Sequence, residues 1–293
     1  MQCELLHDSL NAPQRQAVRH CAGPLLVLAG AGSGKTRVIT AKIAHLIEQG
    51  VEAGAIVAIT FTNKAAREMR ERAAALLAGQ GKGDLARAVT IATFHALGLA
   101  ILRREAKAAG LPPGFSIFDP ADLEGIVAEL VATADRARAR AAQWRISAWK
   151  NALVTPAAAL AAARDDDERA AARAYANYDE ALAAYRAVDF DDLIVRPLRL
   201  LETDAGAAAR WQARCAHVLV DEYQDTNAAQ YRLLRALTAA GTPFTAVGDD
   251  DQAIYGWRGA TLDNLAALPR DYPDLEVVKL EQNYRSTVRI LRC

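Results

Sequence analysis

The sequence predicts an α/β protein: a parallel sheet flanked by helices, with an all-helical segment inserted into it. Three observations carry that prediction. Short apolar runs of strand length alternate with amphipathic helical stretches. A loop of small residues joins the first apolar run to a helix at Lys35. From about Glu105 to Val188 strand-like runs disappear and the chain turns alanine-heavy and helical, broken at Pro112-Pro113, Pro120 and Pro156.

The first strand and its loop are the centre of the pattern. The apolar run Leu25 to Leu28 gives way to Ala31, Gly32, Ser33 and Gly34, then to Lys35 and Thr36. Beyond them Val38, Ile39, Ile43, Leu46 and Ile47 recur at close to a 3.6-residue period. Strand, glycine-rich loop and helix are the context in which a phosphate loop forms. Small residues let backbone N–H groups point at an anion, and the helix N-terminus adds partial positive charge. Lys35 is placed to reach the outer phosphates and Thr36 to hold Mg²⁺. The usual pattern opens on Gly, whereas this chain has Ala29.

Upstream, Asn11-Ala12-Pro13 reads as a helix start. Gln14 carries a carboxamide that can donate and accept at the edge of adenine. Downstream, Ile56 to Thr62 reads as a buried strand running into a helix with Ala65, Met69, Ala73 and Leu76 on one face. Val89 to His95 reads as another strand. Both end in Thr-Phe plus a polar residue, and ligands of open α/β sheets gather beyond strand ends. Aromatic rings and hydroxyls there suit the bases and phosphates of a single strand; the alternative is that both Phe rings are core.

The helical segment carries Arg136, Arg138, Arg140, Arg145 and Lys150 interleaved with Trp144 and Trp149, then Asp165-Asp166-Asp167-Glu168. The basic cluster suits a nucleic-acid backbone or a solvated helix face equally. The α/β pattern resumes at His217 to Asp225, a buried strand ending in carboxylates. Asp221 suits a Mg²⁺ ligand and Glu222 a base that deprotonates a water. Neighbours on a strand point opposite ways, so a turn is needed for both acids to face one ligand. Phe244 to Asp249 is the next strand. It leads to Gln252, a candidate γ-phosphate sensor, and to Tyr255, Trp257 and Arg258 around Gly256. A last strand, Glu276 to Leu280, precedes Asn283, Tyr284 and Arg285.

The bulk numbers suit a globular protein of about two domains: 293 residues, 52% hydrophobic and 24% charged. With 35 basic and 35 acidic residues the net charge is zero, so only a local patch can argue for nucleic acid. The four cysteines are scattered and form no metal motif. The chain shows no signal segment and no run of membrane-spanning length, which makes a cytoplasmic protein the expectation.

The ordered set QRQAV, AGAGSGKT, TFTNKAA, TFH, DFDDL, VDEYQD, VGDDDQAIYGWRGA and QNYRST resembles the UvrD/Rep family of superfamily 1 DNA helicases. The resemblance covers nearly the whole chain outside the helical insertion. It implies a RecA-like P-loop NTPase domain with a parallel sheet, over residues 1–105 and 187–282, and an inserted helical subdomain over 106–186. Residues 283–293 would begin a second motor domain that lies outside this chain. The implied activity is ATP-driven 3′-to-5′ translocation on single-stranded DNA with separation of duplexes at junctions, using ATP and Mg²⁺.

Carried over by position, Gln14 reads adenine, and Ala31, Gly32, Ser33, Gly34, Lys35 and Thr36 cradle the phosphates. Arg37 and Tyr284 flank the base. Asp221 holds the metal, Glu222 is the base, Gln252 senses the γ-phosphate and Arg285 is an arginine finger. For DNA the resemblance points to Phe61, Thr62, Asn63, Thr93, His95, Phe190, Tyr255 and Trp257. A second arginine contact in the absent half leads us to expect a weak ATPase, not a processive helicase, from this chain alone. Two alternatives stay open: an ATP and single-strand binding module without turnover, and the motor part of a helicase–nuclease subunit. A phosphate-loop kinase would leave Trp257 and the TFH stretch unexplained.

Overall fold

In a computed structural model of the chain, the structure describes residues 9–249 and 263–285. They divide into two compact units. One holds the described residues up to Phe94, Ala208–Thr226 and the described residues from Leu237 onward; the other holds His95–Ala207 and Asn227–Ala236.

The first unit is built on a parallel sheet. Helix α1 (Ala12–Arg19) leads into β1 (Pro24–Ala29), α2 (Lys35–Glu48), β2 (Ile56–Thr60), α3 (Asn63–Gly79) and β3 (Thr90–Thr93). Later come β6 (His217–Val220), β7 (Phe244–Gly248), helix α12 (Asp263–Asp271) and β8 (Glu276–Leu280). Among the described residues six strands pair in the order β3-β2-β6-β7-β1-β8, every pair parallel. A parallel sheet needs cover on both faces, so its strands read as unbroken apolar runs. β2, β6 and β7 are buried at every residue. The core joins Leu25, Val27, Ile39, Ile43, Leu46, Ile56, Met69 and Leu219 in one cluster. Parallel pairing also puts the C-terminal ends of all six strands on one edge, where the loops carry the candidate chemistry.

The strand ends differ from the sequence reading in one informative place. β3 stops at Thr93, and Phe94 and His95 open helix α4 (Phe94–Arg104). Phe94 is core, at 2% exposure.

The second unit is helical. Besides α4 it holds α5 (Pro120–Leu130), α6 (Arg136–Asn151), α7 (Pro156–Ala162), α8 (Asp166–Ala184) and α9 (Asp192–Thr203). Its alanines let helices approach closely: Ala142, Ala159, Ala171, Ala172 and Ala174 pack with Tyr175, Tyr178 and Leu182. Side-chain caps start the helices at Asp119, Asp135, Thr155 and Asp165. The segment is not wholly free of strand: β4 (Ser116–Ile117) pairs in parallel with β5 (Ala187–Val188). Two residues are too few to show a period, so this ladder left no trace in the sequence pattern.

Helices α10 (Ala205–Gln212) and α11 (Ala228–Thr238) complete the set. No described helix is long and apolar enough to cross a membrane. Cys21 and Cys215 are free thiols, while Cys3 and Cys293 lie outside the described residues.

Candidate functional site

The loop between β1 and α2 is shaped by its small residues. Ser33 donates twice to the Gly30 carbonyl, from its N–H at 3.2 Å and its Oγ at 2.7 Å. Gly32 and Gly34 adopt φ of 73° and 93°, where a side chain is strained. Neither has room for one: a Cβ at Gly32 would lie 2.6 Å from Arg285 Cβ, and one at Gly34 2.8 Å from Gln14 Nε2. Gly34 is the N-cap of α2, whose first-turn amides have no acceptor within the helix. They face a cavity of about 250 Å³ lined by the loop, Lys35, Thr36, Arg37, Glu222, Tyr284 and Arg285.

Across the cavity stand the acids. Glu222 adopts a left-handed backbone, φ 50° and ψ 45°, uncommon for a residue with a side chain. That turn carries Glu222 to the cavity wall, while Asp221, 5% exposed, stays buried behind it. Asp221 Oδ1 accepts the Glu222 N–H at 3.1 Å, and Glu222 Oε2 comes within 3.2 Å of Lys35 Nζ. Asp249 Oδ2 lies 3.7 Å from the same ammonium. Lys35 Nζ is buried and makes no hydrogen bond among the described residues. Burial, then the Glu222 carboxylate, pushes Asp221 up to about 7, against the pull of the Glu222 amide and Lys35. The same two causes, in the same order, push Asp225 to about 6.

The base-binding candidates are joined to the loop by hydrogen bonds. Gln14 is buried, donates from Nε2 to Ser33 O at 2.9 Å, and accepts the Asn11 N–H at 3.1 Å. Its carboxamide is thus already engaged here. Tyr284 donates its N–H to Gly32 O at 2.9 Å, and its ring hydroxyl accepts from Asn11 Nδ2 at 2.8 Å. Asn283 Nδ2 donates to Ala31 O at 2.6 Å. The strand-end segment after β8 is therefore pinned to the phosphate loop, with the Tyr284 ring half exposed. Arg37 and Arg285 are exposed at the cavity wall.

The DNA candidates are less gathered. Phe61 is half-buried, while Thr62 and Asn63 are exposed, with Thr62 Oγ1 capping α3 by accepting the Ala65 N–H. Thr93 is buried at the end of β3. His95 and Phe190, in the helical unit, set their rings 6.2 Å apart at 57°. Gln252, Tyr255 and Trp257 lie outside the described residues. The basic cluster of α6 is largely paired within its own unit: Arg136 and Arg140 with Glu124, and Arg138 with Asp167. That pairing favours the solvated helix face over a backbone grip.

Sequence reasoning passed over two residues. Gln224 donates to Glu222 Oε2 at 2.8 Å and accepts the Asp249 N–H at 3.0 Å, which ties the tip of β6 to that of β7. It sits inside VDEYQD, yet nothing in its spacing marks it. Arg72 reaches the cavity from α3, where it reads as a solvated helix position.

The residues fit a nucleoside triphosphate and its metal. A buried ammonium without a hydrogen bond, a helix start facing the cavity and a loop with no room for Cβ atoms describe a polyanion cradle. Among the described residues no group of three or more His, Cys, Asp or Glu is arranged to hold a metal. A Mg²⁺ ion at Thr36 and Asp221 would therefore depend on phosphate oxygens and water, as that ion usually does.

A parallel sheet with a glycine loop after β1 and acids at the tip of the β6 strand defines the RecA-like phosphate-loop NTPase class. Residues 10–273 match the model of the UvrD/REP helicase N-terminal domain, and the chain belongs to that family. It is 50% identical over 287 residues to the ATP-dependent DNA helicase Rep of Escherichia coli, an alignment covering 97% of this chain and 42% of that protein. It is 43% identical over 296 residues to the ATP-dependent DNA helicase PcrA of Leuconostoc citreum, covering 99% of this chain and 39% of that one. The PcrA of Staphylococcus aureus is 42% identical over 291 residues, covering 98% of this chain and 39% of its own. The chain thus spans about two fifths of the length of the curated relatives it matches.

Proposed function

We propose that this chain is the ATP-binding motor part of a 3′-to-5′ single-stranded DNA translocase that separates duplexes. The observation that carries the reading is Lys35, a cation buried opposite Glu222 and Asp249 at the mouth of a loop shaped for phosphates. The names of its relatives, ATP-dependent DNA helicases, supply the substrate class.

On this reading Lys35 leaves the carboxylates and engages the outer phosphates, while the amides at the start of α2 hold the chain of phosphate oxygens. Glu222 accepts a proton from the water whose oxygen attacks the γ-phosphorus, and the bond to the leaving diphosphate oxygen breaks. Gln224 keeps the Glu222 carboxylate aimed. Thr36 and Asp221 would hold Mg²⁺, which would supply charge neutralisation of the phosphates. Arg37 and Tyr284 enclose the base, with Gln14 at its edge, and Gln252 and Arg285 respond to the γ-phosphate. Phe61, Thr62, Asn63, Thr93, His95, Phe190, Tyr255 and Trp257 meet the single strand.

A second reading applies to the chain as it stands: it binds ATP and single strands but turns over slowly. The exposure of Arg285, whose backbone N–H donates to Asn283 Oδ1 at 2.8 Å, favours it. The test is ATP hydrolysis stimulated by single-stranded DNA in the complete protein. Lys35→Ala is expected to reduce it at least a hundredfold; an unchanged rate would overturn the phosphate-loop assignment.

A further inference from the structure

The turn Val188-Asp189-Phe190-Asp191-Asp192 inverts the usual partition of side chains. Its acids point inward and its aromatic ring points out. Asp189 and Asp192 are 3% and 2% exposed, whereas Phe190 is 51% exposed. A buried carboxylate is costly unless paired, and an exposed Phe gains nothing from folding. Together they call for an explanation.

The pairing comes from the last turn of α6. Lys150 Nζ, itself buried, lies 2.8 Å from Asp189 Oδ2 and 2.7 Å from Asp192 Oδ1. The next residue, Asn151, donates to Asp191 Oδ1 at 2.7 Å and accepts from Asn227 Nδ2 at 2.7 Å. Tyr178 OH donates to Asp189 Oδ2 at 3.0 Å, and Arg196 Nε stands 3.4 Å from Asp192 Oδ2. The turn also bonds to itself: the Asp192 N–H donates to Asp189 Oδ1 at 2.7 Å, and the Asp189 N–H to Asp192 Oδ2 at 3.3 Å. Burial opposes the Lys150 charge, but Asp192 and Asp189 outweigh it and hold the ammonium above its usual range. Every acid of the turn is thus held from α6, and Phe190 alone is left beside the His95 ring.

A buried ion cluster is weak as a source of stability, since well-packed apolar residues often do as well. What it supplies is a fixed geometry. We propose that Lys150 and Asn151 are positioning residues that hold the Phe190 ring, with His95, in the orientation that stacks on a base of single-stranded DNA. The proposal rests on the single-strand reading above and adds the mount that makes an exposed ring a rigid platform. Neither residue touches the base; both act through the aspartates.

The test is a double-mutant cycle read as affinity for fluorescent oligothymidylate, on the full chain. Phe190→Ala is expected to weaken binding about tenfold, the loss of one stacked base. Lys150→Met and Asn151→Ala are each expected to weaken it severalfold, and to add nothing once Phe190 is Ala. A merely structural role would leave their effects additive with Phe190→Ala, and that outcome would overturn the proposal. So would unchanged affinity in both mount variants while Phe190→Ala loses binding. If Phe190→Ala itself changes nothing, the single-strand reading of this ring fails and the proposal falls with it. Melting curves check that Lys150→Met folds; if it does not, the milder Asn151→Ala decides by the same non-additivity.

Discussion

At the scale of single residues, the first unit buries charge in two places with opposite consequences. At the loop, Lys35 faces Glu222 and Asp249, three groups whose balance the proposed triphosphate would change. Behind the sheet, Lys42 is fully buried on α2 and donates to Ala17 O at 2.8 Å, and burial lowers it to about 7. His217, on β6, has Nε2 3.3 Å from Thr245 Oγ1; burial first, then Lys42 and His20, holds it down to about 3. A histidine whose folded pKa is depressed contributes stability that is present above its unfolded pKa and lost as pH falls. Between pH 6.5 and 5 that loss amounts to about 2 kcal/mol. Lys42, at about 7 in the folded state, changes its contribution mainly above pH 7 and adds little in this window. Asp221 and Asp225, being raised, act in the other direction, so the comparison must be with a variant that leaves them in place. His217→Gln is expected to lose less stability than the parent on going from pH 7 to pH 5, read by chemical denaturation. Equal losses would contradict a neutral, buried His217.

At the scale of elements, α4 and α9 approach closely at one glycine of the helical unit. A Cβ at Gly98 would stand 1.7 Å from Leu193 O and 3.3 Å from the Pro197 ring. Pro197 lies inside α9 and cannot donate to the carbonyl four residues back, which is Leu193 O. The carbonyl that proline leaves without its helical donor is the one against which the glycine packs. Gly98→Ala is therefore expected to destabilise the helical unit by about 3 kcal/mol. Gly125, in α5, has open space where its Cβ would go, so Gly125→Ala is expected to stabilise by up to about 1 kcal/mol. Melting temperatures of the two variants check the pair, and a neutral Gly98→Ala would contradict the close approach. This contact was not legible in the sequence, because a glycine in a helix carries no sign of what lies opposite it. The strand–loop–helix at Lys35 was legible, since small residues and a helical period are local signals. β8 matches its apolar run residue for residue. β3 ended early because Phe94 continues the apolar alternation while serving as the first residue of a helix.

At the scale of the whole molecule, the family was legible from the order of eight motifs, and the fold follows from it. What the motifs could not convey is how charge is distributed between surface and interior. Lys150 reads as one more member of a basic cluster, yet it is buried, while Arg136, Arg138 and Arg140 are paired with Glu124 and Asp167 from other helices. Partners so distant along the chain leave no mark on local composition. A zero net charge likewise hides a site in which Glu222 and Asp249 stand 3.2 and 3.7 Å from one lysine. The central claim is that this lysine is kept for a triphosphate and that Glu222 occupies it meanwhile. The most direct test is ATP affinity and turnover of Glu222→Gln, measured together in the presence of Mg²⁺. The account predicts tighter ATP binding, because a competing negative charge is gone, with hydrolysis reduced by a hundredfold or more. Unchanged affinity together with unchanged hydrolysis would contradict it.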